Sequence, residues 1–354
     1  MKKTLAILLV VVLAVALFAG CGTSKPAPSA TPSASAPASA PASTEPSAAP
    51  ETVKTGLAVV TSIAKSADAG EKDGLAQADS LIVAVTVGTD GKIVSCVIDQ
   101  AQTKVSFNAK GELVTALDTA FKTKNELGAE YGMGKASSIG KEWNEQAAAF
   151  AQYVVGKTTD EVKGIAVNEE GVPTAADLTA SVTVHVTDFI DGVQKAVANA
   201  RELGAAAADK LSLGTVTNIA KSKNAAADAD GLAQIYSTYT AITTGTGGVI
   251  TSCIIDASQS NVNFNTSGKI TTDLTVAPQT KNELGDAYGM KKASSIGKEW
   301  NEQAAAFAAY VTGKTAAEVA GIAVSEGYAG DADLKASVTV HITDFMAIIA
   351  KAAA

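Results

Sequence analysis

The stretch SLIVAVTVGTDGKIVSCVID, residues 80–99, contains the pattern that decides the fold. Two runs rich in β-branched residues flank Gly88-Thr89-Asp90-Gly91, and an Asp-Gly step tolerates the positive φ angles of a tight turn. We therefore predict an antiparallel hairpin here. The same pattern returns at residues 239–256, around a glycine-rich turn. Turns at 108–111 and 265–268 predict a further hairpin in each half of the chain.

The hairpin belongs to a unit that the sequence contains twice, at an offset of about 157 residues. The run KASSIGKEWNEQAAAFA occupies residues 135–151 and occurs again, unchanged, at 292–308. Solenoid repeats are shorter, roughly 20–50 residues, so a period this long indicates duplicated domains. We assign residues 55–200 to repeat 1, 201–210 to a linker and 211–354 to repeat 2.

Helical patterns follow the hairpins in each repeat. A helix is predicted to start near Ser137 or Ser138 and to place Trp143 on its apolar stripe. Thr158 and Glu161 have the spacing of a capping box, which indicates a short second helix. The sequence therefore predicts an α+β protein with two tandem domains, each a small antiparallel sheet packed with helices.

Composition limits the classes of function. The 354 residues carry a formal net charge of -8, which speaks against a nucleic-acid-binding protein because such proteins present a basic face to the phosphates. Three Cys and two His leave little for a metal site or a disulfide framework, and we predict no metal ligands. We also identify no catalytic residues, so a non-catalytic electron-transfer or binding protein is favoured over an enzyme.

The N-terminus has the pattern of an export signal. Lys2 and Lys3 precede an apolar run at residues 5–18, which is short for a transmembrane helix. The following Ala19-Gly20-Cys21 resembles the lipobox of bacterial lipoproteins. That resemblance implies a signal peptide at 1–20, removed by cleavage, and a lipid on the Cys21 sulfur. The alternative is an ordinary secretory signal with a chance cysteine.

A tether follows the predicted lipid anchor. Residues 21–54 consist almost entirely of Pro, Ala, Ser and Thr, and such a segment buries too little apolar surface to offset the entropy of ordering. We predict that it is disordered. The expected location is the extracytoplasmic face of a bacterial cell membrane, with membrane lipid as the partner of Cys21.

The last part of each repeat carries the candidate site. Valines alternate with polar residues over 181–186, which predicts a strand, and a terminal helix is expected to be capped by Thr187 or Asp188. The segment DLTASVT, residues 177–183, and the helix after it resemble the carboxyl end of the FMN-binding domain family. That family includes surface lipoproteins with tandem domains that serve extracellular electron transfer.

The resemblance implies a flavin site in each repeat. The family's signature is an Asp, two variable residues and Ser/Thr-Gly-Ala-Thr, whose last threonine a flavin transferase joins to FMN. Ala180-Ser181-Val182 and its counterpart in repeat 2 differ from the family's core, so whether attachment is covalent stays open. The matching positions are Asp177, Thr183, Asp333 and Thr339.

Histidine and tryptophan complete the predicted site. His185 and His341 follow the threonines and could contact the phosphate or ring, or they could be structural. Trp143 and Trp300 could cover the isoalloxazine, or they could be core residues.

Two hypotheses of function follow. The first is a tethered flavin carrier that receives electrons from membrane donors outside the cell. The alternative is a non-redox surface-binding or adhesion lipoprotein whose domains bind no flavin.

The anchor is tested by changing Cys21 to Ala in the full chain. Because the resemblance implies a diacylglyceryl thioether on the Cys21 sulfur, we expect the variant to leave the membrane fraction for the medium or for an unprocessed precursor. Fractionation followed by immunoblotting measures this, and the matched control is Cys96→Ala. Retention of the Cys21→Ala variant in the membrane would contradict the lipoprotein assignment.

Overall fold

Long antiparallel strands dominate the part of the chain that the computed structural model describes, residues 51–354. The signal peptide, Cys21 and most of the predicted tether lie outside the described residues. The strands are Thr52–Ser62 (β1), Gly74–Val87 (β2), Ile93–Phe107 (β3), Arg201–Ala206 (β4), Lys210–Asn218 (β5), Gly231–Thr244 (β6), Ile250–Phe264 (β7), Val324–Ser325 (β8) and Tyr328–Ala329 (β9). The helices are Lys124–Leu127 (α1), Trp143–Val154 (α2), Thr159–Lys163 (α3), Ala176–Thr179 (α4), Thr187–Ala198 (α5), Lys281–Leu284 (α6), Trp300–Val311 (α7), Ala316–Ala320 (α8), Ala332–Lys335 (α9) and Thr343–Ala352 (α10).

The strands form two main antiparallel sheets, one for each repeat. Their orders are β3-β2-β1-β4 and β5-β6-β7, and β8 pairs with β9 in a small ribbon. The predicted hairpins are confirmed as β2–β3 and β6–β7, and each strand is longer than its apolar run. Asn108 N donates to Glu112 O at 2.8 Å, which confirms the further turn. The α+β class is confirmed.

Both faces of the central strand β2 are buried, and every residue in it except Leu75 is buried. Leu81, Val83 and Val85 face the helices of their own repeat, where Phe150 and Phe189 lie. Ile82 and Ala84 belong to a different cluster, which includes residues of repeat 2. The order of layers is therefore helices, sheet, sheet, helices. A strand covered on both faces explains the nearly continuous apolar run at 81–87.

The two sheets pack face to face within one compact unit. Phe107 of β3 stacks on Phe264 of β7, with ring centroids 4.1 Å apart and ring planes 4° from parallel. Two reciprocal ion pairs also join the repeats: Lys195 to Glu283 at 2.5 Å, and Lys351 to Glu126 at 2.6 Å.

The segment 201–210, assigned to a linker from the sequence, contains β4. This strand pairs antiparallel with β1, with Thr52 opposite Ala206 and Thr55 opposite Arg201. It therefore extends the sheet of repeat 1 directly before β5 begins the sheet of repeat 2. β1 itself starts at Thr52, within the last residues of the predicted tether.

The predicted start of the central helix is wrong. Ser137 and Ser138 lie in turns, and α2 begins at Trp143. Gly140 has φ +66°, a left-handed conformation that ends any helix begun at the serines. Glu142 caps α2 instead, through a capping box with Glu145. The capping box of Thr158 and Glu161 is confirmed at the start of α3.

The predicted strand at 181–186 is also wrong. These residues are irregular, because the N–H groups of Thr183 and Val184 donate to a glutamine side chain instead of a neighbouring strand. Val182 and Val186 are fully buried. The alternation of apolar and polar residues over 181–186 therefore reflects the packing of these valines under the helices, and not the pairing of a strand. Val186 is the N-cap residue of α5, and neither Thr187 nor Asp188 caps it.

The contact between α10 and β5 has no room for a side chain at Gly214. A Cβ atom there would lie 1.9 Å from the carbonyl oxygen of Ile348. We expect Gly214→Ala to lower the free energy of unfolding by about 2–3 kcal/mol, because backbone must move. Chemical denaturation measures the loss. The control is Gly70→Ala, which meets no atom within 4 Å and should change stability by less than about 0.5 kcal/mol. Equal stability of the two variants would contradict the close helix–strand contact.

Candidate functional site

A buried glutamine holds the predicted flavin-attachment threonine of each repeat. The Oε1 atom of Gln146 accepts from Thr183 N at 2.8 Å, from Thr183 Oγ1 at 3.2 Å and from Val184 N at 3.2 Å. In repeat 2, Gln303 Oε1 accepts from Thr339 N at 2.7 Å and from Thr339 Oγ1 at 3.1 Å. The threonine hydroxyls and the backbone N–H groups beside them are therefore already satisfied within the protein.

The glutamine is fixed by bonds of its own. Gln146 is fully buried, and its Nε2 donates to Ser137 Oγ and to the carbonyl oxygen of Lys141, both at 3.1 Å. The run KASSIGKEWNEQ contains every one of these groups, which explains why the arrangement is the same in both repeats. Sequence reasoning missed the role of this glutamine because Thr183, which it holds, lies 37 positions further along the chain.

The predicted histidines and aspartates lie on the surface. His185 and His341 are both exposed, and Tyr328 meets the His341 ring edge-on at 4.2 Å between centroids. Asp177 and Asp333 are exposed residues of α4 and α9. These groups therefore do not surround the threonines in an enclosed site.

The predicted tryptophans lie in the core. Trp143 and Trp300 are 5% and 4% exposed, and each meets a phenylalanine edge-on, Phe189 at 5.7 Å and Phe345 at 5.6 Å. A lysine ammonium lies 4.7 Å from the centre of each indole. The interpretation of these residues as core side chains agrees with this packing. As placed, neither indole presents a free face for an isoalloxazine ring, so the residues do not fit FMN stacked on tryptophan.

Each of those lysines lies inside an aromatic cage. Lys124 Nζ is 4.6 Å from the Tyr131 ring as well as 4.7 Å from Trp143. Lys281 Nζ lies over three rings: Tyr236 at 4.6 Å, Tyr288 at 4.5 Å and Trp300 at 4.7 Å. The electron-rich faces of the rings attract a cation and reduce the cost of burying its charge. Sequence reasoning did not identify the cages, although TKNELG with a following Tyr and Trp occurs in both repeats.

The two cages differ at one position. In repeat 1 it is Asp79, which pairs with Lys65 at 2.9 Å and whose charge supports Lys124. In repeat 2 it is Tyr236, whose hydroxyl accepts from Lys281 Nζ at 3.0 Å. Burial lowers the pKa of Lys124 to about 8 and that of Lys281 to about 7. Burial is the main cause in both repeats, and a neighbouring lysine adds repulsion in each, Lys65 in repeat 1 and Lys221 in repeat 2. The pKa of Lys281 is lowered further because Tyr236 stands where repeat 1 has the carboxylate of Asp79.

Two clefts lie between the repeats at equivalent places. We name each after the strand beside it. The β1 cleft has a volume of about 800 Å³ and the β5 cleft about 350 Å³. The β1 cleft is lined by residues that include Leu57, Lys195, Arg201, Asp256, Glu283 and Asn301. The β5 cleft is lined by residues that include Asp99, Asn125, Glu126, Leu211, Thr215 and Lys351.

A buried aspartate lies at the same position in each cleft. Asp256 accepts from the N–H groups of Ala257 at 2.8 Å and Asn282 at 3.0 Å, yet burial raises its pKa to about 6. Burial likewise raises the pKa of Asp99, which accepts from Gln100 N and Asn125 N. Both clefts thus combine carboxylates, amides and one lysine with apolar walls. Such a lining suits a polar ligand with cationic groups.

In the range 51–354, no group of three or more His, Cys, Asp or Glu side chains is placed to hold a metal ion. Within the same range no helix combines the length and the apolar character needed to cross a bilayer.

Comparison with known proteins gives one short similarity. A stretch of 41 residues, 12% of the chain, is 56% identical to part of a protein named chlorophenol reductase from Desulfitobacterium hafniense. The matched stretch is also 12% of that relative's length. No protein-family model matches the chain. No solved structure matches it either.

Titration of Lys281 is expected to make stability depend on pH. Its pKa of about 7 in the folded protein lies below the ordinary value of about 10.4, so the unfolded chain binds more protons between those limits. Stability therefore rises with pH across that window. We expect the stability difference between wild type and Lys281→Met to grow by roughly 1–3 kcal/mol in favour of wild type from pH 7 to 10.

Denaturant unfolding at a series of pH values measures this difference. The matched control is Lys124→Met, for which the growth should be smaller because the pKa of Lys124 is lowered only to about 8. If the difference between wild type and Lys281→Met does not change with pH, Lys281 does not titrate in this range.

Proposed function

We propose that the chain is a lipid-anchored binding protein of the extracytoplasmic surface, whose two repeats form one rigid body without a flavin. The observation that carries this proposal is the state of the two tryptophans. Their rings are buried, and a lysine of the same repeat lies over each of them. The clefts between the repeats are lined by carboxylates, amides and a lysine that a ligand can reach.

The signal pattern and Cys21 support the extracytoplasmic location. A lipid at Cys21 would attach the chain to the membrane, and the Pro/Ala/Ser-rich segment after it would hold the folded part away from the bilayer. The chain carries a net negative charge, so anionic lipid repels its folded part. This repulsion agrees with ligand binding at a distance from the membrane.

A second candidate function is an extracytoplasmic electron carrier with FMN in each repeat. Two observations favour it. Thr183 and Thr339 are only partly buried, and by the sequence resemblance they correspond to the family's attachment threonine. The relative that shares 41 residues is named a reductase. A flavin bound here would supply redox chemistry, with the phosphate end near these threonines.

Absorbance separates the two candidates. We expect protein purified from its native host to show no band between about 400 and 500 nm, since neither tryptophan presents a free face to a flavin, and we expect added FMN not to bind. The Thr183→Ala plus Thr339→Ala double variant is the control and should have the same spectrum as wild type.

Flavin colour in the wild type would overturn the binding-protein assignment and support the electron carrier. If the colour then survives denaturation and is lost in the double variant, the linkage is covalent. Colour that leaves on unfolding indicates noncovalent FMN.

A further inference from the structure

One wall of the β1 cleft is the helix α7, and the facing wall is formed by β1, β4 and the end of α5. The α7 residues that line the cleft extend from Asn301 to Thr312, about 16 Å at 1.5 Å per residue. That length matches about five residues of extended chain. The helix wall is smooth, because its exposed side chains include Ala305 and Ala309. Repeat 1 has Gln152 in place of Ala309.

The strand β7 contributes part of its outer edge to the cleft. It is the last strand of its sheet, and Cys253 and Ile255 both line the cleft. Asn282 Nδ2 donates to Ile255 O at 2.9 Å, so this carbonyl points away from β6. The backbone groups of Cys253, two residues earlier, point the same way. Within residues 51–354, no group hydrogen-bonds to Cys253 N, Cys253 O or Ile255 N. The edge therefore offers two donors and one acceptor to a backbone in the cleft.

The positive end of the cleft is set by Arg201. This residue lies opposite Thr55, whose Oγ1 hydrogen-bonds to Ser252 Oγ at 2.8 Å, so it is placed beside the first part of β7. Its side chain is exposed. Among residues 51–354 it has no ion-pair partner. The guanidinium is therefore available to a carboxylate, which it can bind with two parallel hydrogen bonds.

The acidic end of the cleft lies further along β7. Asp256 is four residues after Ser252, about 13 Å away in an extended strand, and its carboxylate accepts from Asn282 N at the start of α6. In the described part of the chain Asp256 also has no ion-pair partner. The Oδ1 atom of Asn301, which lines the cleft at the start of α7, is buried and has no hydrogen-bond partner. Acceptors without a donor at this end suit an ammonium or N–H group of a ligand.

We propose that the β1 cleft binds a short linear peptide of about five residues, which lies along the edge of β7 as an antiparallel strand. Its carboxylate binds Arg201, and its terminal ammonium group lies at the Asp256 end. A peptide in this orientation runs opposite to β7, and strand addition is a common way of recognising peptides. The inference rests on the proposed function, ligand binding between the repeats, and deepens it by naming the ligand.

The walls of the cleft specify the side chains of the peptide. Successive side chains of a strand point to opposite faces. One face of the bound peptide meets apolar side chains that include Leu57, Leu203 and Ile254. The other face meets the alanines of α7. The fitting peptide therefore carries apolar side chains on alternate residues and no charge between its termini.

The test uses the full chain and the pentapeptide Ala-Val-Ala-Val-Ala with both termini free. We expect saturable binding by isothermal titration calorimetry, with a dissociation constant below about 1 mM. Hydrogen exchange at the amides of Cys253 and Ile255 should slow when the peptide is added. Amidation of the peptide's carboxylate and acetylation of its amine should each weaken binding at least tenfold.

The variant Arg201→Gln separates recognition of the carboxylate from a general structural defect. We expect it to bind the free peptide at least tenfold more weakly than wild type does. Both proteins should bind the amidated peptide with affinities within threefold of each other, whereas a structural defect would weaken the binding of both peptides.

The variant Ala309→Gln tests the helix wall, because it introduces the side chain that repeat 1 carries at the matching position. We expect binding at least tenfold weaker than in wild type. The matched control is Ala317→Gln in α8, an exposed position that does not line the cleft and should leave affinity within threefold.

The inference is overturned if no saturable binding occurs, if wild type binds the free and amidated peptides equally, or if Ala309→Gln binds as wild type does. These results are distinguishable from failure of the proposed function. A colourless protein that ignores the peptide keeps the proposed function and loses this inference. A flavin-coloured protein that binds the peptide in the β1 cleft loses the flavin-free assignment and keeps the peptide site.

Discussion

The central strands β2 and β6 have two apolar faces, and the helices of one repeat can cover only one of them. The other face is buried by the sheet of the second repeat, around Ile82 and Tyr239 and at the stacked pair Phe107 and Phe264. Exposing these faces would cost about 25 cal/mol for each Å² of apolar surface. The halves therefore depend on each other, and the clefts exist only because the sheets meet.

The same layering determines where polar groups lie. Between each sheet and its helices, the glutamine at Gln146 or Gln303 replaces a strand as the partner of backbone N–H groups, and a caged lysine lies against tryptophan. The glutamine and the lysine thus have internal partners, as the cost of burial requires. Other buried polar atoms have no hydrogen-bond partner, and two of them, Thr215 Oγ1 and Asn301 Oδ1, belong to residues that line the clefts between the repeats. This distribution favours ligand binding between the repeats over cofactor binding within one.

Features that depend only on residues close together in the chain were predicted correctly from the sequence. The hairpins and the capping box of Thr158 depend on residues close in sequence, and both were found in the structure. The strand predicted at 181–186 failed because Gln146, 37 positions before Thr183, captures its amides. Burial of Trp143 under Lys124 is likewise a tertiary contact. Alternating valines show that one face is buried, and they do not show what the backbone pairs with.

Because the two repeats are nearly identical in sequence, the positions at which they differ are informative. Asp79 and Tyr236 occupy matching positions, so the same caged lysine has a nearby carboxylate in repeat 1 and a phenol in repeat 2. The clefts differ as well, since Arg201 lines the β1 cleft together with Asp256 and Glu283, whereas Lys351 pairs with Glu126 at the β5 cleft. Two clefts built from nearly identical repeats therefore present different charged groups, and a ligand that distinguishes them must do so through these groups.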